Sequence, residues 1–243
     1  MNLIIDVGNT KVKLAVFNNQ KRVKKKSATH KNFLNKIKTL QKEYPEMESA
    51  IISSVGNIAN EDLQQLDDKF KLLKLSSSTK IPFKNSYKTP TTLGVDRIAL
   101  VSASVNKYPD KNVLIIDAGT CVTYDFITAK NEYLGGAISP GIRMRYNSLH
   151  NLTANLPLLE TKSPQNLIGN STPESIHSGI INGILKELDG IVKEYEKKYQ
   201  DLTVILTGGD TKFLSKQLKS SIFANSNFLL EGLNFILEFN KIE

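Results

Sequence analysis

The chain has little of what staples or metallates a small fold: one cysteine, Cys121, and three histidines, His30, His150 and His177, set far apart. A lone cysteine closes no internal disulfide and cannot anchor a zinc site, so the composition points to a reducing cytoplasm without structural zinc. Long apolar runs are missing too. The first, Leu3 to Ile5, is cut by Asp6, and nothing later approaches the roughly 20 residues of a membrane span, so neither secretion nor membrane insertion is expected. Arginine is scarce: Arg22, Arg97, Arg143 and Arg145 are the four present in a chain of formal charge +8. The excess is lysine, the weaker residue for bidentate contact with bases or phosphates, which argues against a nucleic-acid partner. The densest basic run, Lys21 to Lys26, reads as an edge strand whose lysines block further pairing.

What is present is enough for a real core, since 40% of the 243 residues are hydrophobic and 23% charged. The length suits two lobes better than one compact unit. An internal repeat supports that division. Leu3 to Phe17 reads LIIDVGNTKVKLAVF and Leu114 to Ile127 reads LIIDAGTCVTYDFI, each a strand, a tight turn at Asp-x-Gly and a second strand. Ala50 to Gly56 (AIISSVG) is echoed by Val204 to Gly209 (VILTGG), with wider spacing in the second copy and hence an insertion between Gly135 and Thr172. Helical patterns lie at Lys31 to Tyr44, Ile58 to Lys69, Gly94 to Val105, Thr211 to Leu218 and Leu230 to Phe239. A long helix capped by Ser171 or Thr172 carries Ile176, Ile180, Ile184, Leu188 and Val192 on one face. On it Ser175, Gly179 and Gly183 are spaced by four, which permits close approach of another backbone, within the chain or from a second copy. The expectation is an α/β protein of two similar lobes, 1–110 and 111–243, with a cleft between them.

Neither a P-loop nor a dinucleotide fingerprint occurs, so both of those readings fall. The paired turns Asp6 to Gly8 and Asp117 to Gly119 are the more specific feature. An acidic side chain at a strand end can hold a hard cation through oxygen, while glycine lets backbone N–H groups turn toward a phosphate. Asn9, Thr10, Thr120 and Thr123 add neutral donors, and Lys11 or Lys13 adds charge. A pair of ordinary Asp-Gly hairpins is the alternative. In GVDR, Asp96 is suited to accept an alcohol proton and Arg97 to grip a carboxylate or phosphate. As an isolated pair they equally suit a helix N-terminal acid and a solvated base. Cys121 reads as a small residue after a turn, and His177 as a helix-surface residue.

Together, DVGNT at Asp6 to Thr10, GVDR at Gly94 to Arg97, DAGTCVTYD at Asp117 to Asp125, GGAISPG at Gly135 to Gly141 and TGGD at Thr207 to Asp210 resemble the type III pantothenate kinase family. That family belongs with the acetate and sugar kinases, chaperone ATPases and actin, so the resemblance implies two duplicated ribonuclease-H-like lobes with an interlobe ATP cleft. It implies ATP-dependent phosphorylation of pantothenate, the first committed step toward coenzyme A, in a cytoplasmic homodimer that binds neither nucleic acid nor membrane. Carried over by motif, Asp6, Val7, Gly8, Asn9, Thr10, Lys11, Val12 and Lys13 form the first phosphate segment, with Asp6 near the magnesium nucleotide. Gly119 and Thr120 form the second, and Asp117 is the ligand of a monovalent cation, potassium or ammonium. Gly94, Val95, Asp96 and Arg97 line the pantothenate pocket with Tyr87 and Thr172, Asp96 being the catalytic base. Gly208, Gly209 and Asp210 form the adenosine-side turn. Three other readings stay open: an ATP-binding regulator of the same fold without kinase activity, a basic nucleic-acid-binding regulator, and a kinase of a sugar or acetate.

Overall fold

The computed structural model describes residues 1–54 and 58–241, which fall into two compact units. The first comprises Met1–Pro109, Asn131–Tyr133 and Phe228–Glu243; the second comprises Asp110–Lys130 and Leu134–Asn227. Gly56, expected to close a strand turn, lies outside the described residues.

In the first unit, β1 (Asn2–Val7), β2 (Val12–Asn18), β3 (Lys21–Ala28), β4 (Ser49–Ser54) and β5 (Lys71–Lys74) form a sheet in the order β3-β2-β1-β4-β5. β1 is central, antiparallel to β2 and parallel to β4, and all six of its residues are buried. Alternation along the strand therefore sorts them. Leu3, Ile5 and Val7 join Val12, Leu14 and Val16 in an apolar layer under α1 (Phe33–Glu43) and α2 (Asn60–Asp67), sealed by Phe33, Ile37, Leu40 and Leu66. Asn2 and Asp6 share the opposite face, where Asn2 donates to Asn234 Oδ1 at 2.8 Å. β3 is the edge strand, its lysines exposed or half-buried, as the lysine run suggested.

The short β6 (Lys84–Asn85) pairs with Glu132 and Tyr133. The helix α3 (Val95–Lys107), buried from Arg97 to Ser104, packs against the terminal helix (Phe228–Phe239). Its Ser102 and Ser104 hydroxyls donate to the carbonyls of Ile98 and Leu100 four residues back, which is how polar residues are accommodated there. The terminal helix had been expected with the second lobe. It belongs to the first because Phe228, Leu230, Leu233, Ile236 and Leu237 need burial, and residue 234 completes the amide pair with Asn2.

The second unit repeats the plan with β7 (Asn112–Ala118), β8 (Cys121–Ile127), β9 (Glu132–Pro140), β10 (Leu202–Thr207) and β11 (Phe223–Ala224), in the order β11-β10-β7-β8-β9. β7 is antiparallel to β8 and parallel to β10, matching β1, β2 and β4. Leu114, Ile116, Val122 and Tyr124 pack under α4 (Ile142–Asn151) and the helical stretch that follows the insertion. That stretch is not the single α-helix expected. It is α5 (Thr172–His177), a π-helical turn at Ser178–Asn182, and α6 (Gly183–Lys198). At the wide turn Ser178 Oγ donates to Leu167 O and accepts from Asn182 Nδ2 at 3.0 Å, tying the insertion down. The last helix of the unit, α7 (Thr211–Leu214), stops short of Leu218.

Candidate active site

The first acidic turn is built where β1 runs out. Asp6 is 5% exposed, and the β1–β2 register sets it opposite Lys13, whose Nζ lies 3.1 Å from Asp6 Oδ2. Burial pushes the Asp6 carboxyl up from its ordinary value, Lys13 pulls it down and the negative charge of Asp96 pushes it up again. Asp96 is thus an electrostatic neighbour of Asp6, as a shared site requires. Gly8 N–H donates to Lys11 O at 3.2 Å, closing the turn, and the Gly8 carbonyl accepts from His30 Nε2 at 2.9 Å. Asn9, Thr10 and Lys11 are exposed, whereas Val7 and Val12 are buried, so these valines can offer a ligand only their backbone.

Asp96 stands in the first turn of α3, its Oδ1 accepting the Arg97 N–H at 2.9 Å. A Cβ on residue 94 would sit 2.5 Å from that oxygen, so Gly94 leaves the space the carboxylate occupies, and Val95 beside it is half-buried. Arg97 is 5% exposed, with its guanidinium carbon 5.5 Å from the centre of the Tyr87 ring. Tyr87 stacks on Tyr133 at 6.1 Å, and Phe83 meets Tyr133 edge-on at 6.0 Å. The β6 pairing with Glu132 and Tyr133 is what brings Tyr133 here. Sequence reading missed Tyr133, Phe83 and His30, since no motif contains them and a two-residue strand leaves no periodic signal.

In the second unit Asp117 ends β7 opposite Thr123 on β8 and Thr207 on β10. The turn behind it is clamped by backbone. Gly119 N–H donates to Cys121 O, Gly141 N–H to Thr120 O and Asp210 N–H to Ala118 O, at 2.9, 3.1 and 3.0 Å. Gly208 has φ of +97°, and a Cβ there would lie 2.2 Å from Ala118 O and 2.3 Å from Asp117 Oδ1, so only glycine fits. Cβ atoms on Gly119 and Gly209 would meet nothing within 4 Å. Packing does not require those two glycines; an approaching ligand would.

Beside Gly209, a cavity of about 440 Å³ is lined by Phe213, Lys212, Lys216, Gln217 and Ser163. A larger one, about 550 Å³, lies against Tyr195 and Tyr199 and touches no candidate residue except the Gly135–Gly136 end of its motif. Burial pushes the Asp210 carboxyl up. Thr172 is exposed at the start of α5, where Ser171 Oγ accepts from Glu174 N–H. His177 is not on the surface. It is 6% exposed, with Nδ1 2.7 Å from the Tyr146 hydroxyl, because it faces the core layer that holds Tyr146.

Among the described residues no group of three or more His, Cys, Asp or Glu side chains is placed to hold a metal ion. The donors nevertheless suit hard cations: Asp6 and Asp117 present oxygen, and the buried hydroxyls of Ser53 and Thr123, their strand neighbours, have no hydrogen-bond partner. Asp6 with Ser53 suits a magnesium ion that takes most of its ligands from phosphate and water.

Residues 2–194 match the profile of a family described as type III pantothenate kinase. A protein of that description from Christiangramia forsetii is 57% identical over 243 residues, covering all of both chains. In three dimensions the chain resembles a Campylobacter jejuni protein assigned to the Baf family of transcriptional activators, with a TM-score of 0.64, 20% identity and 99% and 100% coverage. It also resembles a glucokinase from an Antarctic psychrotroph, with a TM-score of 0.52, 11% identity and 98% and 96% coverage. At those identities the structural likeness speaks for the fold alone.

Proposed function

The chain belongs to the type III pantothenate kinase family and phosphorylates pantothenate, the entry to coenzyme A biosynthesis; from that premise we propose which of its residues do the work. As in other kinases the phosphoryl donor is ATP. The observation that carries the assignment is the meeting of Asp6, Lys13 and Asp96 in one unit, with Arg97 next to Asp96 in sequence and set over the Tyr87 ring.

Asp96 takes the proton from the primary hydroxyl of pantothenate as that oxygen attacks the γ-phosphorus of ATP and ADP leaves. Its Oδ1 accepts the Arg97 N–H, which fixes the orientation of the carboxyl group. Arg97, held over the Tyr87 ring, grips the pantothenate carboxylate, with Gly94 and Val95 alongside and Thr172 an additional polar contact. Segment Asp6 to Lys13 and the Gly119–Thr120 turn bind phosphate. The cavity at Gly209 and Phe213 takes the adenosine, with Gly208 and Asp210 on either side of Gly209 in the chain. Magnesium, which Asp6 would help hold, offsets charge on the transferring phosphates when bound. Asp117 with Thr123 would hold potassium or ammonium.

The protein acts as a cytoplasmic homodimer in this reading. In its support, Ser175, Gly179 and Gly183 are exposed in one row, and Cβ atoms on the two glycines would meet nothing within 4 Å. Among the described residues no helix is long and apolar enough to cross a membrane. The deciding experiment couples ADP formation to added pantothenate, in sodium and in potassium, and follows mass by light scattering. Pantothenate-independent ATP turnover would sink the acceptor assignment, equal rates in the two salts the cation, and a fully active monomer the dimer.

A further inference from the structure

One of the backbone clamps on the Gly119–Thr120 turn is the Pro140–Gly141 peptide plane. Gly141 N–H donates to Thr120 O at 3.1 Å, and a Cβ at 141 would stand 2.1 Å from Gly119 O and 2.5 Å from Thr120 O, so the two backbones lie in direct contact. That N–H shares its rigid peptide unit with the Pro140 carbonyl, because C=O and N–H of one peptide lie in one plane. The Pro140 carbonyl accepts from Arg145 Nε at 2.9 Å. The same guanidinium donates through Nη2 to Ser139 Oγ at 3.1 Å and to Glu187 Oε2 on α6. Glu187 Oε1 accepts from the Tyr124 hydroxyl at 2.8 Å, so the carboxylate joins α6 to β8 and to the guanidinium together. Burial pushes the Glu187 carboxyl up, but hydrogen bonds from Arg145, Ser139 and Tyr124 outweigh it and hold the group below its ordinary value. The side chains of Arg145 and Glu187 are 20% and 24% exposed, so the pair is shielded from most solvent screening.

We propose that Arg145 is a positioning residue for phosphoryl transfer: by gripping the Pro140–Gly141 peptide it fixes the N–H that holds the Gly119–Thr120 turn in its phosphate-binding geometry. The proposal rests on the reading above that this turn contacts the phosphates of ATP. Arginine suits the task because its planar fork reaches a carbonyl, a hydroxyl and a carboxylate at fixed angles, which the lysine ammonium cannot reproduce. A donor charge on the Pro140 carbonyl also polarises the peptide and strengthens its N–H as a donor.

The test uses the full chain with Arg145→Gln and Arg145→Lys, measuring kcat and KM for each substrate. Losing an orienting partner of this kind should lower kcat/KM for ATP by about tenfold or more in the glutamine variant, less in the lysine variant, while KM for pantothenate stays within about twofold. Gly119→Ala tests the underlying reading separately, since its methyl meets no protein atom within 4 Å yet obstructs an incoming phosphate. If Gly119→Ala leaves KM for ATP unchanged, the phosphate reading falls and the proposal with it. If Gly119→Ala impairs ATP use and Arg145→Gln does not, or impairs both substrates equally, the proposal alone is overturned. Should Arg145→Gln not fold, Glu187→Gln, whose single amide oxygen can still accept from the Tyr124 hydroxyl while its NH2 replaces the acceptor facing Arg145, must show the same ATP-selective loss at smaller size.

Discussion

Asp6 and Asp117 occupy the same place in the two copies of one supersecondary unit, at the end of a central strand between an antiparallel and a parallel neighbour. Their neighbours differ. Across the antiparallel strand Asp6 meets Lys13 at 3.1 Å, whereas Asp117 faces Thr123, a buried hydroxyl with no hydrogen-bond partner. In the first unit a carboxylate removed from water has its counter-charge built into the sheet. The second has Thr123 at that position, a hydroxyl that carries no charge, opposite a half-buried Asp117. On the proposed assignment the same duplicated frame puts Asp6 beside the acceptor base Asp96 in one copy and gives Asp117 to an exchangeable ion in the other.

The largest test of that division is Asp96→Asn. Nearly isosteric, it should lower turnover by roughly 10² to 10⁴ while ATP affinity measured by calorimetry stays close to normal. Turnover within about threefold of the parent would leave Asp96 an orienting group and remove the acceptor chemistry from the first unit. Next in size is Asp117→Asn. Potassium activation should weaken by about tenfold, the scale for losing a group that orients a bound ion, with pantothenate KM nearly unchanged. If Asp6→Asn weakens potassium activation as much, the two aspartates are not specialised.

Lys13→Gln sharpens the comparison through pH. Lys13 is the influence that lowers the raised pKa of Asp6, so without it only burial and Asp96 remain and the pKa rises further. Activity that needs the carboxylate is lost as pH falls through that value, so the acid limb of the rate profile should move to higher pH. Stability responds in the opposite sense. A raised aspartate contributes stability that is lost as pH rises through its folded value, so the variant should be less stable than the parent at pH 7, the gap closing on acidification. An unmoved acid limb would mean that another group carries it. The smallest effect is expected from Thr123→Val, which removes an unpartnered buried hydroxyl: a gain of about 1 kcal/mol in denaturant unfolding, with weaker activation by potassium. A loss of stability would show that the hydroxyl is satisfied in solution without an added ion.

Much of this was legible in the chain because the repeat is local. LIIDVGNT and LIIDAGTC announce strand, turn and strand within fifteen residues, and Leu202 to Thr207 has the apolar run of a buried strand. What escaped depends on partners distant in sequence. Tyr133 joins Tyr87 only through the two-residue β6 ladder, Arg145 meets Glu187 across the insertion, and His177 is buried only because Tyr146 stands opposite. The π turn was invisible because Ile176, Ile180 and Ile184 satisfy an unbroken helical repeat equally well. The lobe membership of the terminal helix was misjudged for the related reason that proximity in sequence to β11 says nothing about which apolar face it must cover.

That helix has a consequence for biosynthesis. Phe228 to Phe239 covers α3, and Asn234 pairs with Asn2, so the first unit, whose strands precede those of the second, lacks part of its interior until this helix has been made. The second unit, whose residues all precede the helix, can finish earlier. The first unit is begun before the second and completed after it, which leaves α3 open to chaperones or self-association during the wait.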